Sequence, residues 1–247
     1  MKYAMRSVLV LLALASAQTA SAQTADELIE KSIAAMGGRA AFEKVKTRVM
    51  TGTITINTPG GDLPGTIELW NARPNKLRTL IKADLTQFGA GTLEIDQRFD
   101  GQTGYLLNTL QGNRDITGNQ LDNMRNQAFP HAFLSYKDLG FKATVEGKQK
   151  VGSGEAYVVV LEPAKGSTIR QFIDAETMLP VRFVMRVNVE ELGAEVEQTT
   201  DLSAYKEVDG LKLPFKLTSS SSAQSFTVDL TKVEHNVAVD DKVFVKP

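Results

Sequence analysis

Val181, Phe183, Met185, Val187 and Val189 alternate with Arg182, Val184, Arg186, Asn188 and Glu190. A period of two is what a strand with one dry face requires, so this stretch commits the chain to a sheet whose apolar side must be covered. The same pattern runs from Tyr157 to Leu217. There YVVVLEP, STIRQFID, VRFVMRVNVE and EVDGLKLPFKL are cut by turn residues between Asp174 and Pro180 and at Asp209-Gly210. The segment Ala156–Leu161 is apolar at every position, which in an antiparallel sheet demands cover on both faces.

Further strands are expected at Arg48–Asn57, Gly65–Ala72, Lys76–Asp84, Gly91–Phe99, Tyr105–Thr109, Ala132–Tyr136 and Phe141–Lys150, with pairing continuing to Val233. Turns such as TPGGDLPG and FDGQTG join them as an antiparallel meander. Two helices interrupt this order. Thr24-x-x-Glu27 is a capping box ahead of Leu28, Ile29, Ile33 and Met36, stopped by Gly37-Gly38. A second helix over 118–128 combines a capping box (Thr117, Gln120) with an Ile116/Leu121 staple. It carries the stripe Leu121, Met124 and Ala128, and Pro130 stops it after Phe129. The expectation is a mainly β, α+β domain with about 10–11 strands.

Residues 1–22 have a basic start (Lys2, Arg6), an apolar run from Val8 to Ala15 and an Ala20-Ser21-Ala22 cleavage site, the plan of a secretory signal peptide. The mature domain is expected over 23–247, exported to the periplasm. No stretch reaches the about 18 apolar residues of a spanning helix. No cysteine occurs, so neither a disulfide nor a lipobox anchor is available. The 28 Lys and Arg against 29 Asp and Glu are unclustered, which argues against nucleic acid or an anionic membrane surface as partner.

Catalytic patterns are missing. His131 and His235 are the only histidines and have no metal spacing, so no metal or other cofactor is implied. Gly152-Ser153-Gly154 lacks the frame of a nucleophile elbow. Asp100-Gly101 and Asp209-Gly210 read as hairpin turns, and Asp240-Asp241 falls short of a calcium loop. His235 reads as an ordinary edge residue.

The segments ADELIEKSIAAMGG, FDGQTGYLLN, FIDAETMLPVRF, YKEVDGLKLPF and HNVAVDDKVF, in this order, resemble LolA-like periplasmic proteins, the superfamily of lipoprotein-sorting carriers and related lipoprotein-binding domains. The resemblance implies an antiparallel sheet curled into an incomplete barrel with a helical lid. It also implies acyl chains or a lipid-modified protein as the partner held in an apolar concavity. The candidate inward set is Leu93, Ile95, Tyr105, Leu107, Phe133, Tyr157, Phe183 and Met185, with Leu121 and Met124 on the lid. Two arrangements suit this set: the lining of a ligand cavity or a solid packed core. They correspond to two functions, a non-enzymatic carrier of a lipophilic ligand or an envelope interaction or sensor module with a self-filled barrel; an accessory hydrolase is the third reading.

Overall fold

The structure is a computed structural model that describes residues 23–247 apart from 87, 88, 128 and 190–192. The expected leader and Ala128 therefore lie outside the described residues.

Two helices lead into the sheet, α1 (Ala25–Ala35) and α2 (Arg39–Lys44). The first meander follows: β1 (Thr47–Thr58), β2 (Gly61–Ala72), β3 (Lys76–Asp84), β4 (Thr92–Phe99), β5 (Gly104–Asn108) and β6 (Arg114–Ile116). After α3 (Gly118–Asn126) and α4 (Ala132–Ser135) comes the second: β7 (Lys142–Val151), β8 (Gly154–Glu162), β9 (Ile169–Asp174), β10 (Pro180–Val189), β11 (Ala194–Val208), β12 (Leu211–Ser220) and β13 (Ser225–His235). The 13 strands form one sheet in the order β6-β5-β4-β3-β2-β1-β13-β12-β11-β10-β9-β8-β7. The two meanders are joined where the first strand pairs antiparallel with the last, Arg48 opposite His235 and Ile54 opposite Val228. The free edges β6 and β7 are connected by α3 and α4, so the sheet is a curled, unclosed barrel with helices at its opening.

The expected capping box is present on α1: Thr24 Oγ1 accepts from the Glu27 N–H at 3.2 Å, and Glu27 Oε2 accepts from the Thr24 N–H at 3.1 Å. The helix buries Leu28, Ile29, Ile33 and Met36 against the inner face of β7 and β8, with Phe42 of α2, Val159, Leu161 and Ile173 in the same cluster. It ends at Gly37, with φ of +123°, where a Cβ would lie 2.1 Å from the Gly210 carbonyl oxygen. The Lys212 N–H donates to the Met36 carbonyl at 2.9 Å. The helix end is thereby fixed to the β11–β12 turn. Arg73 closes α2, donating to the carbonyls of Val45 at 2.8 Å and Phe42 at 3.1 Å.

Three features differ from the sequence expectation. The strand count is higher because short pieces such as β6 pair fully in the ladder. Thr117 makes no capping hydrogen bond, and Gln120 Oε1 instead accepts from Arg114 Nη2 at 3.0 Å; the Ile116/Leu121 staple is made, in a cluster with Leu77, Phe99 and Met124. Ala132–Ser135 is a turn of helix, not a strand, because His131 acts as its N-cap, Nδ1 accepting from the Phe133 N–H at 3.2 Å. On β8, the outer side of Ala156 and Val158 is covered by Phe172, Val184, Val151 and Val181 from the same sheet rather than by another layer.

Candidate functional site: an apolar cavity at the seam of the barrel

Strand curvature leaves a cavity of about 490 Å³ on the inner face around the β1–β13 seam, within the range of pockets that hold small molecules. Its wall is made of inward positions on seven strands. These are Met50 and Ile54 of β1, Ile67 and Leu69 of β2, Ile81 of β3, Phe183 of β10, Leu202 of β11, Leu213 and Leu217 of β12, and Phe226, Val228 and Leu230 of β13. Met36 at the end of α1, and Gln127 and His131 between α3 and α4, complete the wall. The periodicity of two thus becomes a concave apolar surface.

Polar groups in this wall are few and mostly satisfied by protein. Thr200 Oγ1 and Ser219 Oγ lie 2.9 Å apart, and Gln198 donates to the same Ser219 hydroxyl at 2.5 Å. Tyr205 donates to the Pro180 carbonyl at 2.5 Å. Arg48 is different. It lines the cavity at 7% exposure, its Nε donates to His235 Nε2 at 3.1 Å, and its Nη2 is buried without a hydrogen-bond partner. Its guanidinium lies 5.3 Å from the centre of the Phe129 ring. Burial lowers it to about 10, which leaves it cationic at neutral pH. Behind it, His235 Nδ1 meets Asp209 Oδ2 at 3.0 Å, and the histidine side chain is only 1% exposed.

His235 reaches this position through a β-bulge. The pairing runs Thr51 with Lys232 and then Gly52 with Leu230, so Thr231 is the extra residue. Inward positions on β13 change there from Phe226, Val228 and Leu230 to Val233 and His235. Bulges redirect side chains in this way, and a sequence read with unbroken alternation puts His235 on the outer face.

Burial holds the second histidine neutral: desolvation, and then the nearby Arg48 charge, push His131 down to about 4. Its neutral state suits the acceptor role of Nδ1 in the α4 cap.

The ten sequence candidates distribute over several places. Phe183 lines the cavity, and Met185 shares its face, opposite Gln198. Phe133 and Tyr157 belong to the α1 core. Leu93 and Ile95 are on the inner face farther along the barrel, beside a second pocket that includes Leu63 and Leu110. Leu121 and Met124 pack on Leu77 and Phe99 of β3 and β4. Tyr105 and Leu107 stand opposite Arg98 and Asp96 on the other face from Ile81, and it is Leu106 that shares the inner face there. Sequence reading missed Arg48. The available signal was a lone arginine in phase with Met50 and Ile54 on an otherwise apolar strand face.

Among the described residues no group of three or more His, Asp or Glu is placed to hold a metal ion, and no helix is long and apolar enough to cross a membrane.

Solved structures with this architecture include a DUF1329 family protein from Desulfovibrio piger, at TM-score 0.58 and 14% identity over 90% of this chain and 95% of that one. A putative outer membrane lipoprotein-sorting protein domain from Vibrio parahaemolyticus aligns at 0.55 and 13%, covering 89% and 97%. A LolA superfamily protein from Nitrosomonas europaea aligns at 0.55 and 13%, covering 91% and 99%. The chain has a LolA-like fold, an antiparallel sheet curled into an incomplete barrel with helices at its mouth. No family model and no curated protein matches the chain.

Proposed function

We propose that the protein is an exported, non-enzymatic carrier or binding protein for a lipophilic ligand, an acyl chain or the lipid of a lipoprotein, acting in the periplasm after removal of residues 1–22. The observation that carries this reading is the apolar cavity of about 490 Å³ inside a LolA-like barrel. One protein of similar fold bears the description of a lipoprotein-sorting domain, which supports the same direction. Each methylene buried in such a cavity contributes about 0.8 kcal/mol, so a chain of modest length binds without any covalent chemistry. Entry follows displacement of the α3–α4 segment, which carries Gln127 and His131 over the cavity.

The test is titration of the delipidated mature protein with an environment-sensitive fatty-acid probe, beside an Ile81→Asp variant whose carboxylate faces the chain. Wild type binds, and the variant binds weakly while keeping its β circular-dichroism spectrum, because the new carboxylate must be desolvated by the ligand. Folded wild type that binds no probe overturns the carrier reading in favour of an envelope interaction module. Amino-terminal sequencing of the exported protein, expected to begin at Gln23, tests the localisation.

A further inference from the structure

The cavity wall contains one group whose chemistry an acyl chain alone leaves unanswered. Arg48 is on an inward position of β1, in phase with Met50 and Ile54, and its neighbours across the seam are apolar except His235. Leaving a buried donor without an acceptor is unfavourable, and more so for a charged group. Arg48 Nη2 is such a donor. Its Nε is already engaged, and the engagement fixes the side chain: with Nε2 accepting from Arg48, the neutral His235 imidazole carries its proton on Nδ1 and donates to Asp209. Phe129 supports the guanidinium plane from another side. The result is a rigidly held guanidinium in an apolar wall.

Nothing nearby neutralises it directly. Asp209 reaches Arg48 only through His235, and among the described residues no carboxylate forms an ion pair with Arg48. His131, the other titratable group beside it, is kept neutral. The local field therefore favours an anion. A guanidinium matches a carboxylate in both charge and planar geometry.

On the basis of the carrier reading above, we infer that Arg48 is a head-group subsite and that the cavity takes a single acyl chain ending in a free carboxylate, a fatty-acid-class ligand. The chain follows the apolar wall of β1, β2 and β13, and the carboxylate pairs with the Arg48 guanidinium. His235 and Asp209 act as positioning residues that hold the guanidinium in place. An ester carbonyl offers an acceptor without charge, and an alcohol offers a weaker one, so the three head groups are separable by experiment.

Isothermal titration of decanoate, methyl decanoate and decan-1-ol into the delipidated mature protein at pH 8 provides the test, with wild type, Arg48→Lys and Arg48→Met compared. Wild type is expected to bind decanoate at least tenfold more tightly than the other two. Arg48→Met should abolish that preference, and Arg48→Lys should keep part of it. Equal affinity of wild type for all three, or a preference that survives in Arg48→Met, overturns the head-group assignment and leaves the carrier reading standing. Failure of folded wild type to bind any of them overturns both. If Arg48→Met does not fold, the preference of wild type and its reduction in Arg48→Lys decide the matter.

Discussion

Asn123 and Ser167 hydrogen-bond to each other in both directions: the Ser167 N–H donates to Asn123 Oδ1 at 2.6 Å, and Asn123 Nδ2 donates to Ser167 Oγ at 3.1 Å. Asn119 also donates to Ser167 Oγ and to the Glu195 carboxylate, and Asn126 donates to the Lys165 carbonyl at 2.8 Å. The three asparagines recur at helical spacing, so one side of α3 is a polar seam against the β8–β9 loop and β11. The other side, Leu121 and Met124, is apolar and joined to β3, β4 and β6. The helix is held to one flank of the opening by packing and to the other by hydrogen bonds.

Opening of the barrel mouth is therefore expected along the asparagine seam. Asn123→Ala removes two hydrogen bonds and should lower the free energy of local opening by about 1–3 kcal/mol. Amide hydrogen exchange should accelerate in α3 and at 165–168, with β1 and β13 unchanged. Acceleration confined to the β4–β5 hairpin instead would show that the apolar side yields first.

Much of the architecture was legible in the chain because strand alternation and turn chemistry are local. The hairpins at Asp100-Gly101 and Asp209-Gly210 and the α1 capping box all formed where the residues indicated. The cavity wall was not legible, because curvature and register decide which inward residues face empty space. Tyr105 and Leu106 are equally apolar strand neighbours, and only the pairing of Arg98 with Tyr105 fixes which one is inside. One bulged residue, Thr231, was enough to bring His235 to the face of Arg48. The α4 turn escaped notice because its cap is a histidine, a residue outside the usual capping set.

The seam itself depends on Gly52, where a Cβ would lie 2.3 Å from the Asp229 carbonyl oxygen and 2.9 Å from Leu230 Cα. Gly52→Ala should destabilise the protein by about 1–3 kcal/mol through forced separation of β1 and β13. Gly91→Ala, with nothing within 4 Å of the new methyl, is the control. Equal melting temperatures for the two variants would refute the close-contact account.

On the outer face, Asp96 is 1% exposed and binds two arginines. Arg78 donates to both carboxylate oxygens at 2.7 Å, and Arg98 to Oδ2 at 2.7 and 3.0 Å. Burial opposes ionisation, but the hydrogen bonds from Arg78 and Arg98 outweigh it and hold the carboxyl below the usual range. Arg98 also donates to the Val245 carbonyl at 3.0 Å, fastening the C-terminal segment. Asp96→Ala should cost about 3 kcal/mol by leaving the half-buried Arg78 and Arg98 guanidinium groups without their carboxylate, and should expose the segment after Phe244 to proteolysis. A denaturant midpoint within error of wild type would exclude this role.

His131 makes stability depend on pH in a defined window. Burial and then the Arg48 charge lower it to about 4 in the folded protein, whereas the unfolded value is near 6.5. Between those values the unfolded state binds more protons, so stability rises with pH there and is fully present above about 6.5. From pH 8 to pH 5 the loss from this one group should be about 2 kcal/mol. Protonating Nδ1 would also remove the acceptor that caps α4. His235 is lowered by burial, and then by Arg48, against an opposing pull from Asp209, and adds a slope of the same sign. Thermal melts of wild type and His131→Asn across pH 8 to 5 separate the two histidines, since asparagine can cap a helix without titrating. The variant should lose most of the pH dependence while retaining the part due to His235. An undiminished slope in His131→Asn would place the titrating group elsewhere.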